Sequence, residues 1–413
     1  MDPSAVKVLP MKDHPLLDRL PDKPTVAPAF SIPIDPLGFA APSDLYFGER
    51  FSMASLDFLD EDHLLFTFRV PGLIVRTPGV KEDDDEHHIR AVVLSLPSGA
   101  VQAEALWTLY DRERYLWMLK DGHFLLRNQN TVSQGDATLQ LKPLFRFPGT
   151  LLWMEMDPTE QYLVTNSREP VETTTQPGQV PSPSTASADI EEEGQDSGEK
   201  PDLVVRVLRR DTGQVMLVSR VRAPVHLPIN DEGYLDSLRG IDSQWELMMN
   251  DFTGKTAELG RVESACWPTL DFISEREFLV TGCGRDGSYQ LLAMTTNGLR
   301  LWQDSTSGYT VWPLLLMSAN GLRIVRETFA VTREIGVYWA LDRSYVKAQR
   351  VRVFDAATGN VALEALANPV LDAGGNVAIS ASGRRVAILT GGAIQVFNLP
   401  LPPSLPKGAD SAR

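Results

Sequence analysis

One short pattern recurs through this chain and limits what it can become: an apolar stretch, a polar turn, and a second apolar stretch. It spans residues 56–66, 115–126, 152–164, 270–280, 314–325 and 377–388, with a weaker seventh copy between Tyr234 and Met249 around Arg239 and Gly240. The apolar stretches are short and rich in Val, Leu, Ile and Phe, the signature of strands, and no capped segment of helical period interrupts them. A second element alternates with the first: a strand, a turn of small residues ending in Gly, and a strand, at 92–101 (Gly99), 205–215 (Gly213) and 351–361 (Gly359), with shorter versions at Thr253-Gly254 and Asn297-Gly298. Glycine supplies the positive φ of such turns, and Ser, Thr, Asp and Asn bond within them.

Two consecutive hairpins make a four-stranded antiparallel unit with an edge to protect and faces it cannot bury alone. Radial repetition solves both problems, so the expected fold is all-β: a β-propeller of about seven four-stranded blades. Six or eight blades, or a pair of β-sandwiches, are the competing architectures. Proline at nine positions among residues 1–45 marks an extended lead-in. Residues 168–201, rich in Thr, Ser, Pro and Glu, read as a disordered acidic insertion, and 401–413 as a disordered tail. A single domain over 46–400 then leaves about 320 residues for blades of ~40–50. The last unit shows only three strands, at 377–380, 386–390 and 393–399. Its outer strand must come from elsewhere, and the lead-in before Phe51, in which the stretch around Ala29 to Ile32 could add one edge strand, is the natural donor, so both termini are expected to close the ring.

The clearest repeat, 351–361 followed by 377–388, resembles the bacterial β-propeller repeat proteins of the WD-repeat and YVTN-like type. No Trp-Asp dipeptide occurs, and the one Gly-His pair, Gly122-His123, sits in a turn. The resemblance implies a scaffold, often for binding partners and only sometimes an enzyme; fold alone does not decide function.

A net charge of −15 argues against a nucleic-acid or anionic-membrane partner, and no stretch approaches the apolar length needed for membrane insertion. The polar, Pro-rich start is not a signal peptide, so a cytoplasmic location is expected, with a secreted or periplasmic one if the true N-terminus is missing. Cys266 and Cys283 flank a hairpin and come near each other; two reduced, buried thiols are expected, with a disulfide only if the protein is exported.

Candidate chemistry is sparse. Asp83, Asp85, His87 and His88 form the one dense group of potential metal ligands, in a stretch read as a solvated acidic loop without ligand spacing. His63 and His123 occupy equivalent places after two turns where sister repeats carry Gln161 and Arg384, as expected of an exposed strand start. His226, between Pro224 and Pro228, reads as part of a rigid connection. Nucleophile-elbow, phosphate-loop and zinc-protease motifs are absent; 282–287 is Gly-rich but lies between strands, where a phosphate loop needs a helix. Eight Trp recur near strand ends, as inter-blade packing requires. The expectation is a monomeric, non-catalytic scaffold binding a protein or other ligand on a loop face, with no catalytic residues and no cofactor. The alternative is a propeller enzyme, lactonase-like or quinoprotein-like, with carboxylates and histidines gathered at the central channel.

Overall fold

A computed structural model describes residues 20–41, 53–70, 86–110, 114–169, 203–285, 288–306, 313–332, 343–371 and 374–402. The expected insertion, apart from Arg168 and Glu169, and the tail beyond Pro402 lie outside these residues.

Strands are numbered in chain order, beginning with β1 (Phe30–Pro33). Blade 1 is β2 (Ser55–Phe58), β3 (His63–Arg69), β4 (His87–Ser95) and β5 (Val101–Leu109). Blade 2 is β6 (Leu116–Met118), β7 (Phe124–Asn128), β8 (Thr131–Gly135) and β9 (Lys142–Arg146). Blade 3 is β10 (Thr150–Met156), β11 (Tyr162–Arg168), β12 (Leu203–Arg209) and β13 (Val215–Val221). Blade 4 has three regular strands, β14 (Gly233–Arg239), β15 (Gln244–Asp251) and β16 (Thr256–Glu263). Blade 5 is β17 (Thr269–Phe272), β18 (Glu277–Cys283), β19 (Tyr289–Thr295) and β20 (Arg300–Ser305). Blade 6 is β21 (Leu314–Met317), β22 (Arg323–Val331), β23 (Val346–Asp355) and β24 (Val361–Ala367); blade 7 is β25 (Val377–Ile379), β26 (Arg385–Thr390) and β27 (Ala393–Asn398), completed by β1.

The chain is therefore an all-β, seven-bladed propeller. Its closure is the expected one: β1 pairs antiparallel with β27, Phe30 opposite Val396 and Ile32 opposite Ile394. Behind the strand, the lead-in continues along blade 6, where Thr25 donates its N–H to the Glu364 carbonyl and its hydroxyl accepts from the Glu364 N–H.

The polar residues of the turns explain why the pattern repeats. In six blades the turn between the first two strands carries a side chain that accepts a hydrogen bond from the N–H two residues on: Asp60 from Asp62, Asp121 from His123, Asp157 from Thr159, Ser274 from Arg276, Asn320 from Leu322 and Ser382 from Arg384. Such bonds hold the backbone in a turn without help from the neighbouring blade.

The weak seventh copy has a different place from the other six. Its two stretches form β14 and β15, the second and third strands of blade 4. The inner position is filled by 225–230, which touches β14 through one bridge, Ile229 to Tyr234, and through the Leu235 N–H to the Pro228 carbonyl. Pro224 and Pro228 lack the N–H a ladder needs, so this segment lines the axis without becoming a regular strand.

Apolar packing follows the ring. One cluster sits at each of the seven junctions between neighbouring blades; at the closure Ile32, Val396 and Ile394 meet Leu56, Phe66 and Val92 of blade 1. Gly99, at φ 71°, lies under this contact: a Cβ there would come within 2.6 Å of the Ile32 side chain. Ile32 is 3% exposed, so Ile32→Ala is expected to cost about 2–4 kcal/mol, read as a lowered urea midpoint. An unchanged midpoint would show that the closing strand adds nothing to the fold.

Candidate functional site

In an antiparallel blade, the connections between first and second and between third and fourth strands fall on one face of the ring. The second-to-third connections and the links between blades fall on the other. A cleft of about 690 Å³ opens on this second face between blades 4 and 5. Its walls are the end of β16 with the link that follows it (Arg261, Glu263, Ser264, Ala265) and the facing side of blade 5 (Gly282, Cys283, Arg285, Gln290, Arg300, Gln303). A smaller hollow of about 180 Å³ shares Ser264 and Ala265 and adds Arg239, Ser243, Trp245 and Trp267.

Ser264 organises the wall. It is 2% exposed; its Oγ donates to the Cys266 carbonyl at 2.7 Å and accepts the Cys283 N–H at 3.0 Å. Cys266 and Cys283 are joined in a disulfide, with Cα atoms 5.4 Å apart. The expectation of two reduced thiols is thus corrected. The hairpin β17–β18 ends its register at Thr269 opposite Thr281, and the chain continues so that the two cysteines meet diagonally across its open end.

The rim combines exposed apolar surface with cations. Trp267 is 45% exposed, its ring 4.9 Å from that of the buried Trp245, whose Nε1 donates to the Ser264 carbonyl. Ile241, in the β14–β15 turn between the lining residues Arg239 and Ser243, is 82% exposed. The next two residues, Asp242 and Ser243, have φ of 55° and 64°. Left-handed backbone at successive non-glycine residues is costly and is retained where the surroundings impose it. Arg261 is held by Glu246 at 2.8 Å and Glu258 at 3.3 Å; Arg285 lies 3.9 Å from Glu263. Arg239 and Arg300 have no carboxylate within 4.0 Å among the described residues, and Arg300 donates to the Arg261 carbonyl.

The axis holds a second cluster. His226, in the irregular inner segment of blade 4, reaches Glu155 of β10 (Nδ1 to Oε1, 2.5 Å) and the Leu270 carbonyl of β17 (Nε2, 2.7 Å), with Asp271 at 3.5 Å. Trp153 donates to the same Glu155 oxygen, and the Leu227 N–H to the other at 3.3 Å. Both imidazole nitrogens face acceptors, which only the imidazolium satisfies. Burial opposes that charge, but the Glu155 carboxylate, its hydrogen bond and Asp271 outweigh it, and the pKa is pushed up to about 10. Burial drives the Asp271 carboxyl above its usual range, against the pull of His226. An imidazole protonated throughout the neutral range, with both N–H groups engaged, has no lone pair to serve as a base. The cluster ties blades 3, 4 and 5 together at the axis.

The other candidates are dispersed. Asp83 and Asp85 lie outside the described residues. His87 and His88 are not in a loop, as expected, but open β4, the third strand of blade 1, away from the channel. Successive strand residues project from opposite faces, so the pair cannot share one ion; His87 is buried and His88 lies 3.6 Å from Glu86. No group of three or more ligating side chains arranged to hold a metal occurs among the described residues. His63 and His123 stand at strand starts, beside Asp60 and Asp121 of their own turns. His226 lies in the Pro-flanked inner segment of blade 4, bonded to β10 and β17 of the neighbouring blades.

Seven sheets in a ring place the chain in the structural class of β-propellers. No protein-family model matches the chain, and no curated protein matches it. Among solved structures it is similar to Pyrococcus horikoshii acylaminoacyl peptidase, at 11% identity over 83% of this chain and 50% of that chain (TM-score 0.44). It is also similar to the WD40 β-propeller domain of Doa1, at 10% identity over 90% and 96% (TM-score 0.43), and to the β-propeller domain of the Trilobed protease from Pyrococcus furiosus, at 10% over 86% and 94% (TM-score 0.43). The chain spans half the length of the peptidase chain.

Two measurements test the site. The disulfide closes a loop with a sequence separation of 17, so reduction, or Cys266→Ser with Cys283→Ser, is expected to cost about 3 kcal/mol in a denaturant titration, with a change in Trp fluorescence from residues 245 and 267. No change in either would mean that the bond does not shape the cleft wall. His226 has a folded pKa above its unfolded value, so its contribution is complete below about pH 6.5 and is lost as pH rises through about 10. The stability gap between wild type and His226→Gln should therefore narrow steadily over that window; a constant gap would refute the charged imidazolium.

Proposed function

We propose that this propeller is a non-catalytic scaffold that docks a protein partner at the cleft between blades 4 and 5. The observation that carries this reading is the rim itself: a largely exposed Ile241 and Trp267 beside a cleft whose cations are incompletely neutralised. Tryptophan and arginine around a pocket are the residues that concentrate binding energy at protein interfaces. The enzyme reading needs a reactive group at the axis. The histidine there is protonated and fully bonded, which supports the scaffold reading instead. We place the protein in an oxidising compartment, where a disulfide such as Cys266–Cys283 persists, in preference to the cytoplasm.

The test is a photoreactive amino acid introduced at position 267, in the cleft rim, or at position 212, in a third-to-fourth-strand turn on the opposite face. Irradiation in the native host is expected to give a defined protein adduct from 267 and none from 212. Adducts only from 212, or a chemical turnover that His226→Gln abolishes, would overturn the proposal.

A further inference from the structure

The segments that carry the disulfide are held together twice, once through sulfur and once without it. Ala265 donates its N–H to the Cys283 carbonyl at 2.8 Å, and the Cys283 N–H donates to Ser264 Oγ at 3.0 Å. Both bonds join the link after β16 to the end of β18, and neither uses a sulfur atom. Gly282 makes room for them: a Cβ there would stand 2.9 Å from Ser264 Oγ. With these bonds in place, the two sulfurs stay neighbours when the S–S bond is broken, so it can reform without a search. The sulfurs also differ in their surroundings. Both cysteines are half-buried, but Cys283 lines the open cleft of about 690 Å³ and Cys266 does not. Cys266 Sγ lies 3.6 Å from Ser264 Oγ, within hydrogen-bond reach for sulfur. Thiol exchange needs access to one sulfur and a stabilised thiolate on the other, and this pair offers each on a different cysteine.

We propose that Cys266–Cys283 is a reversible thiol-exchange site, reduced in the folded protein by a dithiol that enters the cleft and attacks Cys283. The dithiol's thiolate bonds to Cys283 Sγ as the S–S bond breaks, and Cys266 leaves as a thiolate. Ser264 then donates its hydroxyl to that sulfur instead of to the Cys266 carbonyl, a rotation open to any serine. The dithiol's second sulfur attacks its own first sulfur in the mixed disulfide, and Cys283 leaves in turn. Two electrons and two protons pass from the dithiol, which becomes a disulfide, to the two cysteines, which become thiols. The exchange acts on the cleft wall: Ser264 and Ala265 line both hollows and Trp267 lines the smaller one, all within three residues of Cys266. In an oxidising compartment the closed bond is the resting form, and the wall loosens only where a dithiol is delivered. This site requires no docked partner at the rim.

The experiment follows thiol release from the intact, oxidised protein by alkylation and mass spectrometry. One arm uses dithiothreitol as a small dithiol, the other reduced thioredoxin as a protein dithiol. Both thiols are expected to appear at a rate proportional to the dithiol and unchanged by urea well below the unfolding midpoint, with the far-ultraviolet spectrum retained. Oxidised glutathione is expected to restore the bond. Release by dithiothreitol alone assigns the site to a small dithiol, and release by both reagents to a protein one. Acid quenching during reaction with reduced glutathione is expected to trap the mixed disulfide on Cys283. In Cys283→Ser, alkylation of Cys266 at neutral pH is expected to fall about tenfold on adding Ser264→Ala, the two rates meeting at high pH; packing alone does not produce that dependence. Thiols released only in step with global unfolding, at a rate that climbs with urea from the start, would overturn the exchange site and leave a structural staple. A mixed disulfide trapped on Cys266 would overturn the direction of attack. Neither outcome bears on docking at the rim, which the crosslinks from position 267 decide.

Discussion

Everything in this molecule depends on sheets burying their faces against one another around a ring. Each blade offers two apolar faces, and each of the seven junctions is filled by side chains from both neighbours. A linear stack would leave the first and last faces in water, at about 25 cal/mol for each Å² of apolar surface left uncovered. Closing the ring removes both ends, and the contact of Ile32 with blade 1 is where that happens. The second strands show the result: all nine residues of β22 are buried, whereas β13 on the outside is half exposed.

The fold was legible because its determinants are local. Small polar residues at fixed offsets set each turn, and apolar runs between them set each strand. Even the closing strand could be read, since the final unit lacked one and the lead-in held Phe30 and Ile32. Blade 4 misled for a physical reason. Its inner segment carries two prolines and cannot form the ladder that marked the other blades, so the visible hairpin belonged one position further out.

The site was much less legible. The two cysteines stood out in the sequence, but Arg261 lines one wall of the cleft and Arg285 and Arg300 the other only because blade 4 lies beside blade 5. Nothing in local spacing reports that proximity. The same holds for Glu155, His226 and Asp271, drawn from three blades. Conversely, the dense acidic and histidine stretch around His87 was conspicuous in sequence, but its two histidines enter a sheet where they point apart. The thiols were judged by the compartment that the N-terminal sequence suggested, whereas their geometry was decided by the hairpin between them.

The pairing of β1 with β27 also dictates an order of events in the cell. Phe30–Pro33 is made before any of the blades, but its partner, residues 393–396, is almost the last piece of the propeller to be made. Throughout synthesis the early strand keeps an unsatisfied backbone edge and an uncovered Ile32, while blade 1 waits for its neighbour. Contacts between such distant parts of a chain form slowly, and exposed strand edges invite pairing with the wrong chain. The early strand's edge is covered only when Phe30–Pro33 meets residues 393–396, so the seam of the ring is the last part of the fold that can be completed.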